Sequence, residues 1–231
     1  MRTVRTLRSL LGICALTLGL TVAMAAAPTK AHAQVPVLCS ETSLVNAINS
    51  ANAADGETLA LFPFCTYQLT SAHGTSPHGA VGLPPITTPI TLLGMGVTIT
   101  RAPGAPAFRI LQVEGAANVP GTKGQLSAVG LTPSAGGSAV SPYPGGGLSN
   151  LGGTVSMLSS AVTGNSAIAG GGIYNDNGSI TLTTSSVTGN EATSSGGGIY
   201  VNSGGVTLLG TSVRDNTPDN CAPSGSVMGC T

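Results

Sequence analysis

The chain has no tryptophan, only seven aromatic residues and only 16 charged residues among 231. A typical soluble domain is about 25% charged, so few groups are available for ionic chemistry. Basic and acidic residues balance at eight each. No basic stripe of the kind that binds nucleic acid stands out, so nucleic acid is not an expected partner. The sequence has no C-x-x-C pair and no G-G-x-G-x-D calcium turn, and neither a metal nor a cofactor is expected. The hydrophobic fraction of 41% argues against disorder, and glycine does not recur at every third position as in collagen. What is abundant is glycine, 34 residues, about twice the usual share. With serine, threonine and valine it makes a composition of short strands and tight turns.

The charge balance hides an asymmetry. Arg2, Arg5 and Arg8 precede an apolar run from Leu10 to Ala27, and Ala31-His32-Ala33 gives an A-x-A pattern. This order reads as a secretory signal peptide, with cleavage expected after Ala33. The run is too short and too interrupted for a spanning helix, which needs about 20 apolar residues. Cys14 lies inside it after Ile13, which does not suit a lipoprotein site. The chain from residue 34 carries four basic and eight acidic side chains and contains no other long apolar run, so no membrane span is expected in the mature form. The expected location is extracellular. Four cysteines follow the leader: Cys39, Cys65, Cys221 and Cys230. An even count in an exported chain implies disulfides. Of the three connectivities, the positions favour Cys39–Cys65 and Cys221–Cys230, each closing a local loop at one end.

The C-terminal third repeats. Units begin at Gly145-Gly146-Gly147-Leu148, Gly170-Gly171-Gly172-Ile173 and Gly196-Gly197-Gly198-Ile199 and end near Asn165, Asn190 and Asn216. A period of about 25 residues indicates a solenoid. Val155, Ile180 and Val206 share a column, as do Met157, Leu182 and Leu208 two residues on. Residues i and i+2 face the same way on a strand, so Ser156, Thr181 and Thr207 between them point outward. The glycines suit turns with positive φ, and the asparagine column suits stacked structural turns. About 25 residues makes one coil of a parallel β-helix, and about six coils at strand spacing give roughly 29 Å of stack.

The expected fold is therefore all-β: a single-stranded right-handed parallel β-helix, or solenoid, with an N-terminal capping helix. Residues 1–33 are the leader. Residues 34–70 form a cap of helix plus first strand, with Ser40 as N-cap and Leu44, Val45, Ile48 and Ala51 at helical spacing. Residues 71–216 form the β-helix, with loop insertions at 71–85 and 132–147. Pro133 falls where later coils have valine, which predicts a distorted coil. Ile90–Leu92, Val97–Ile99 and Phe108–Val113 read as strands. Residues 217–231 form a disulfide-closed cap.

The GGGIYN…TLTTSSVTGN segment at 170–190 resembles secreted bacterial right-handed parallel β-helix repeat proteins of the pectate-lyase-like superfold. The Gly-Gly-Gly-Ile and T-G-N elements also resemble the repeats of chlamydial polymorphic outer-membrane proteins. Cys39-Ser40…Leu44…Ala47-Ile48…Ala51-Asn52 is similar to the "CSLREAI" segment of exported β-helix proteins, without its Arg-Glu pair and with two extra residues before Leu44. The resemblance implies export and fold. The superfold hosts lyases and glycosidases, but a fold alone does not give an activity.

Catalysis needs converging groups. A glycosidase needs paired carboxylates, and a calcium-dependent lyase needs clustered acids with an arginine. The acids Glu41, Asp55, Glu57, Glu114, Asp176, Glu191, Asp215 and Asp219 form no column in the aligned coils. Arg214-Asp215 reads as a surface pair, and Arg101 and Arg109 with Glu114 as a local surface network. His73 and His78 stand five apart in a loop and read as loop residues. No catalytic residue is assigned. Tyr174 and Tyr200 share an outward column with Ser149 below them; stacked tyrosines offer a platform for a sugar, since each ring is apolar with a polar tip. The Ser156/Thr181/Thr207 stripe lacks a second threonine column, so an ice-binding face is not expected. Self-anchoring through a C-terminal barrel is not expected either. The leading expectation is a secreted, non-catalytic protein with a polysaccharide or surface-protein partner; the alternative is a polysaccharide lyase or glycoside hydrolase. Oligomeric state stays open.

Overall fold

The computed structural model describes residues 34–76, 79–137 and 144–230; the expected leader with its cleavage point after Ala33, Cys14 and His78 lie outside these. The fold is a parallel β-helix with one helix at its N-terminal end. Six coils open on the strands Glu57–Leu61, Pro89–Arg101, Gln125–Ser134, Thr154–Leu158, Gly178–Thr183 and Gly204–Leu209, which pair in that order in one long sheet, with Val35–Val37 added at its start. A second, five-stranded sheet joins Leu111–Glu114, Leu148–Leu151, Ile173–Asp176, Ile199–Val201 and Cys221–Ala222. Ser166–Ala169 and Glu191–Ser195 form a short third ladder.

Between the later coils of the long sheet, register is one residue to one residue. Val155 pairs with Leu126 on one side and Ile180 on the other, and Met157 with Ala128 and Leu182. These inward columns are buried throughout. Each buried Leu, Ile or Val contributes about 1.5–3 kcal/mol, which no coil can gain without its neighbours. At the last coil Leu208 and Val213 are only half-buried, as expected where stacking ends. The outward column between them runs through all six coils as Thr58, Thr91, Ser127, Ser156, Thr181 and Thr207.

The glycine triplets divide their work. The first glycine of each turns the chain with positive φ: Gly145, Gly170 and Gly196 at +87°, +62° and +65°. The second and third are there for closeness. A Cβ on Gly171 would lie 2.3 Å from the Glu191 carbonyl oxygen, and one on Gly172 2.7 Å from that of Gly198. The asparagine column that ends each unit is a buried amide ladder. The side-chain Nδ2 of Asn165 donates to Oδ1 of Asn190 at 3.0 Å, and that of Asn190 to Oδ1 of Asn216 at 3.0 Å. The same acceptors also take the backbone N–H of Asn165 and Asn190.

The earlier coils are less regular than the later ones. Instead of two separate strands at 90–92 and 97–99, one strand runs from Pro89 to Arg101 with a register shift between Leu93 and Val97. The strand expected at Phe108–Val113 spans Leu111–Glu114. Pro133 lies within the strand Gln125–Ser134, buried and paired with Ile99. Its effect falls on the other side: Gln125–Val129 pair with the next coil, but past Val129 only Ser134 does, at Thr163, whereas Ala161–Thr163 pair over three residues with their successor. Residues 132–134 are therefore strand rather than loop, and Gly136 still keeps coil register by donating its N–H to Asn165 Oδ1. Residues 138–143 lie outside the described residues. Segment 71–85 contains an antiparallel hairpin, Gly74–Ser76 with Gly79–Val81, and buries Val81 and Leu83.

Both ends are closed. The helix α1 spans Glu41–Ala53 and buries Leu44, Val45, Ile48 and Ala51 in the same core as the coils. Ser40 is its N-cap, accepting from the Ser43 N–H at 3.2 Å. Cys39–Cys65 ties this cap to the first coil. Tyr67, fully buried, donates its hydroxyl to the Val37 carbonyl and fixes the first strand. Cys221–Cys230 closes the other end, where Val227 enters the core. No helix among the described residues is long and apolar enough to cross a membrane.

Candidate functional site

The outward face of the five-stranded sheet carries most of the polar chemistry. Register places Gln112, Ser149, Tyr174, Tyr200 and Ala222 in one column. Two residues along each strand, Glu114, Leu151 and Asp176 make the next. In the upper half the groups are shut in. Arg109 is 1% exposed and donates to Gln112 Oε1 at 2.9 Å; Gln112 in turn donates to Glu114. The network expected on the surface is thus a buried one. Arg101 is not part of it and instead donates to the carbonyls of Ala135 and Ala105. Ser149 is also fully buried.

The lower half is open. Tyr174 and Tyr200 are half-exposed, with ring centroids 5.7 Å apart and planes within 6° of parallel. Strand spacing explains this: like residues on successive coils stack. The rings face each other rather than lying side by side as a flat platform, so one face of each is taken. Their column neighbours beyond the pair, Ser149 and Ala222, are too small to cover a phenol ring.

Asp176 stands two residues after Tyr174 on the same strand face. Its carboxylate accepts from Asn118 Nδ2, Asn202 Nδ2 and Ser203 Oγ, each at 2.8 Å. Asn177 and Asn118 are hydrogen-bonded to each other beside it. Burial, with the neighbouring Asp176 charge and Tyr200, pushes the Tyr174 phenol up to about 12. The residues that the sequence left unassigned here are Asn118, Asn202 and Ser203. The one legible signal was the i, i+2 spacing of Tyr174 and Asp176; Asn118 arrives from a turn 58 residues upstream.

The remaining candidates serve the fold. Glu41 in the first turn of α1 receives Thr70 N at 2.8 Å and Thr70 Oγ1 at 2.7 Å, and contacts His73 Nε2 at 2.7 Å. Burial would raise the Glu41 carboxyl, but the hydrogen bonds from His73, Thr70 and Ser71 outweigh it and hold the group below its ordinary value. His73 is therefore paired with an acid 32 residues away, not a bare loop residue. Ser71 Oγ, at 3.5 Å, meets the same Nε2. A hydrolytic relay uses opposite nitrogens of the imidazole, so this arrangement is a clasp. Arg214 and Asp215 form an exposed ion pair, as their adjacency implies. The four cysteines form the two disulfides favoured by position. Among the described residues no group of three or more His, Cys, Asp or Glu converges as a metal site.

Compared with protein-family models, with curated proteins and with solved structures, the chain matches none.

Proposed function

We propose that this is an exported, non-catalytic β-helix protein that binds polysaccharide at the cell surface or in the extracellular matrix, through the face carrying Tyr174, Tyr200 and Asp176. Export rests on the leader-like order of residues 1–33 and agrees with the two disulfides, which persist in oxidising compartments. Kinship with secreted bacterial β-helix repeat proteins is part of the same reading and rests on the triplet and asparagine columns.

The observation that carries the binding reading is the tyrosine pair beside a carboxylate ringed by amides. Aromatic rings contact the apolar face of a sugar, while a carboxylate and amides take its hydroxyls. The non-catalytic reading is supported by where the charged groups are spent. Glu41 holds His73, Glu114 belongs to the buried Arg109–Gln112 chain, and Asp176 is hydrogen-bonded three times.

The test is incubation of the purified protein with a panel of polysaccharides, reading retention and chain cleavage together. Retention without cleavage, lost in Tyr174→Ala and Tyr200→Ala, is the expected result. Cleavage that disappears on substitution of Asp176 or Glu114 would establish a lyase or glycosidase in its place.

A further inference from the structure

The two ends of the stack treat their free backbone differently. The long sheet begins at Val35–Val37 and ends at Gly204–Leu209, and among the described residues each of these strands is paired on one side only. An unpaired strand edge is a template for another strand, and proteins blunt it with brevity, proline or charge. The first edge is blunted. It is three residues long, Pro36 at its centre has no N–H to offer, and α1 packs into the core at the same end. The last edge is not. It is six residues long, Gly-Gly-Val-Thr-Leu-Leu, with no proline and no charge. Charged groups on either side of it are engaged within the chain: Asp176 with Asn202 and Ser203 before the strand, Arg214 with Asp215 after it, and Asp219 with the Gly196 N–H.

The C-terminal cap closes only part of this end. Cys221–Ala222 extends the five-stranded sheet, and Val227 enters the core. Beside Gly204–Leu209 a shallow groove remains against Gly225, Ser226 and Met228. Leu209 is 51% exposed and Met228 91%. A Cβ on Gly205 would meet nothing within 4 Å, and Ser226 Oγ is shut off from water without a hydrogen-bond partner. We infer that a second copy of this chain occupies this edge, the two Gly204–Leu209 strands pairing antiparallel about a twofold axis in a closed, tail-to-tail dimer. Every earlier coil meets a coil of its own pattern, and the free edge that repeats this pattern is the same edge of another copy. Parallel continuation would need the first coil of the next copy, where Pro36 and α1 stand in the way. The contact therefore closes on itself instead of building a filament. The twofold sets an uncharged strand against an uncharged strand, brings Val206 and Leu208 beside their counterparts, and covers Leu209 and Met228.

The experiment is sedimentation equilibrium of the purified protein from about 1 μM to about 200 μM, with hydrogen exchange of residues 204–209 at the highest concentration. Variants are Thr207→Lys and Leu209→Lys on the edge, and Thr91→Lys in the same outward column four coils earlier, each checked by circular dichroism. The expected result is a monomer–dimer equilibrium that stops at two copies. Thr207→Lys places like charges across the twofold and should weaken the dimer at least about tenfold. Leu209→Lys should weaken it as well, and Thr91→Lys should leave it unchanged. A monomer over the whole range, an assembly that grows past two copies, or a dimer indifferent to both edge variants overturns the inference. Should the edge variants fail to fold, the unaltered protein decides: outward-facing amides of residues 204–209 that still exchange freely at the highest concentration overturn it, and their protection supports it.

Discussion

Replacing Asn190 by alanine should be among the most costly polar substitutions in the molecule. Asn190 is 1% exposed and sits in the middle of the amide ladder. Its Oδ1 accepts the Asn165 backbone N–H and the Asn165 Nδ2, both at 3.0 Å. Its Nδ2 donates to the Val162 and Thr188 carbonyls and to Asn216 Oδ1. Alanine would leave the Asn165 N–H without a partner, and Asn165 itself is 1% exposed. A stranded buried donor costs about 1–3 kcal/mol, and each further net bond lost costs about 0.5–1.5 kcal/mol. Counting two such bonds gives a total of about 4 kcal/mol. With a urea slope near 2 kcal/mol/M the midpoint should fall by about 2 M. Asn216→Ala is the control. It makes the same kind of bonds from a half-buried site on the last coil, where water can substitute, so about 1–2 kcal/mol is expected. Urea unfolding followed by both circular dichroism and tyrosine fluorescence is the assay, since coincident transitions are needed to read a free energy. Equal losses in the two variants, or less than about 1 kcal/mol for Asn190→Ala, would refute the view that the ladder holds the coils together.

Other outcomes follow from the same contacts. Gly171→Ala should destabilise far more than Gly164→Ala in thermal melts: the first drives a Cβ onto the backbone of the next coil at both Glu191 and Gly197, while the second has open space and bears only the cost of a left-handed φ of +64°. Because the Glu41 carboxyl is held below its ordinary value of 4.5, its stabilisation of the cap is present above that value and is lost as pH falls through the lowered one. Glu41→Gln should flatten this acid limb, read by hydrogen exchange in α1. Removing Cys39–Cys65, with 26 residues of separation, should cost about 3.5 kcal/mol on the loop-entropy account, and Cys221–Cys230, with 9, about 2.6 kcal/mol; denaturant titration of the double-serine variants checks the order. In a spectroscopic pH titration, Asp176→Asn should bring Tyr174 down from about 12 while leaving it above the usual tyrosine value, because burial remains.

The architecture was legible wherever the sequence repeats. Residues such as Val155, Ile180 and Val206 occupy equivalent places, and a period-two pattern has only one way to bury them, so columns read from the sequence became columns in space. Irregular coils were harder. Pro133 signalled a broken ladder, but not that the strand would continue through it and lose its pairing on one side only. The glycine triplets announced a turn and concealed that two of every three glycines are required by close approach. The tyrosine column was visible as a repeat; its face-to-face geometry follows from strand spacing. What could not be read was partnership across long separations. Glu41 with His73 and Asn118 with Asp176 are 32 and 58 residues apart, and neither pair belongs to a repeat. The buried state of Arg109 had no sequence signal, because a charged residue outside the periodic columns reads as surface.

The central claim is that the tyrosine face is where ligand binds, and nuclear magnetic resonance of the tyrosine rings tests it most directly. On titration with an oligosaccharide from the class retained in the binding panel, the ring signals of Tyr174 and Tyr200 should shift together and saturate. Those of Tyr67, buried in the core of the first coil, should stay in place. Saturable binding that leaves the Tyr174 and Tyr200 signals unmoved would contradict the account.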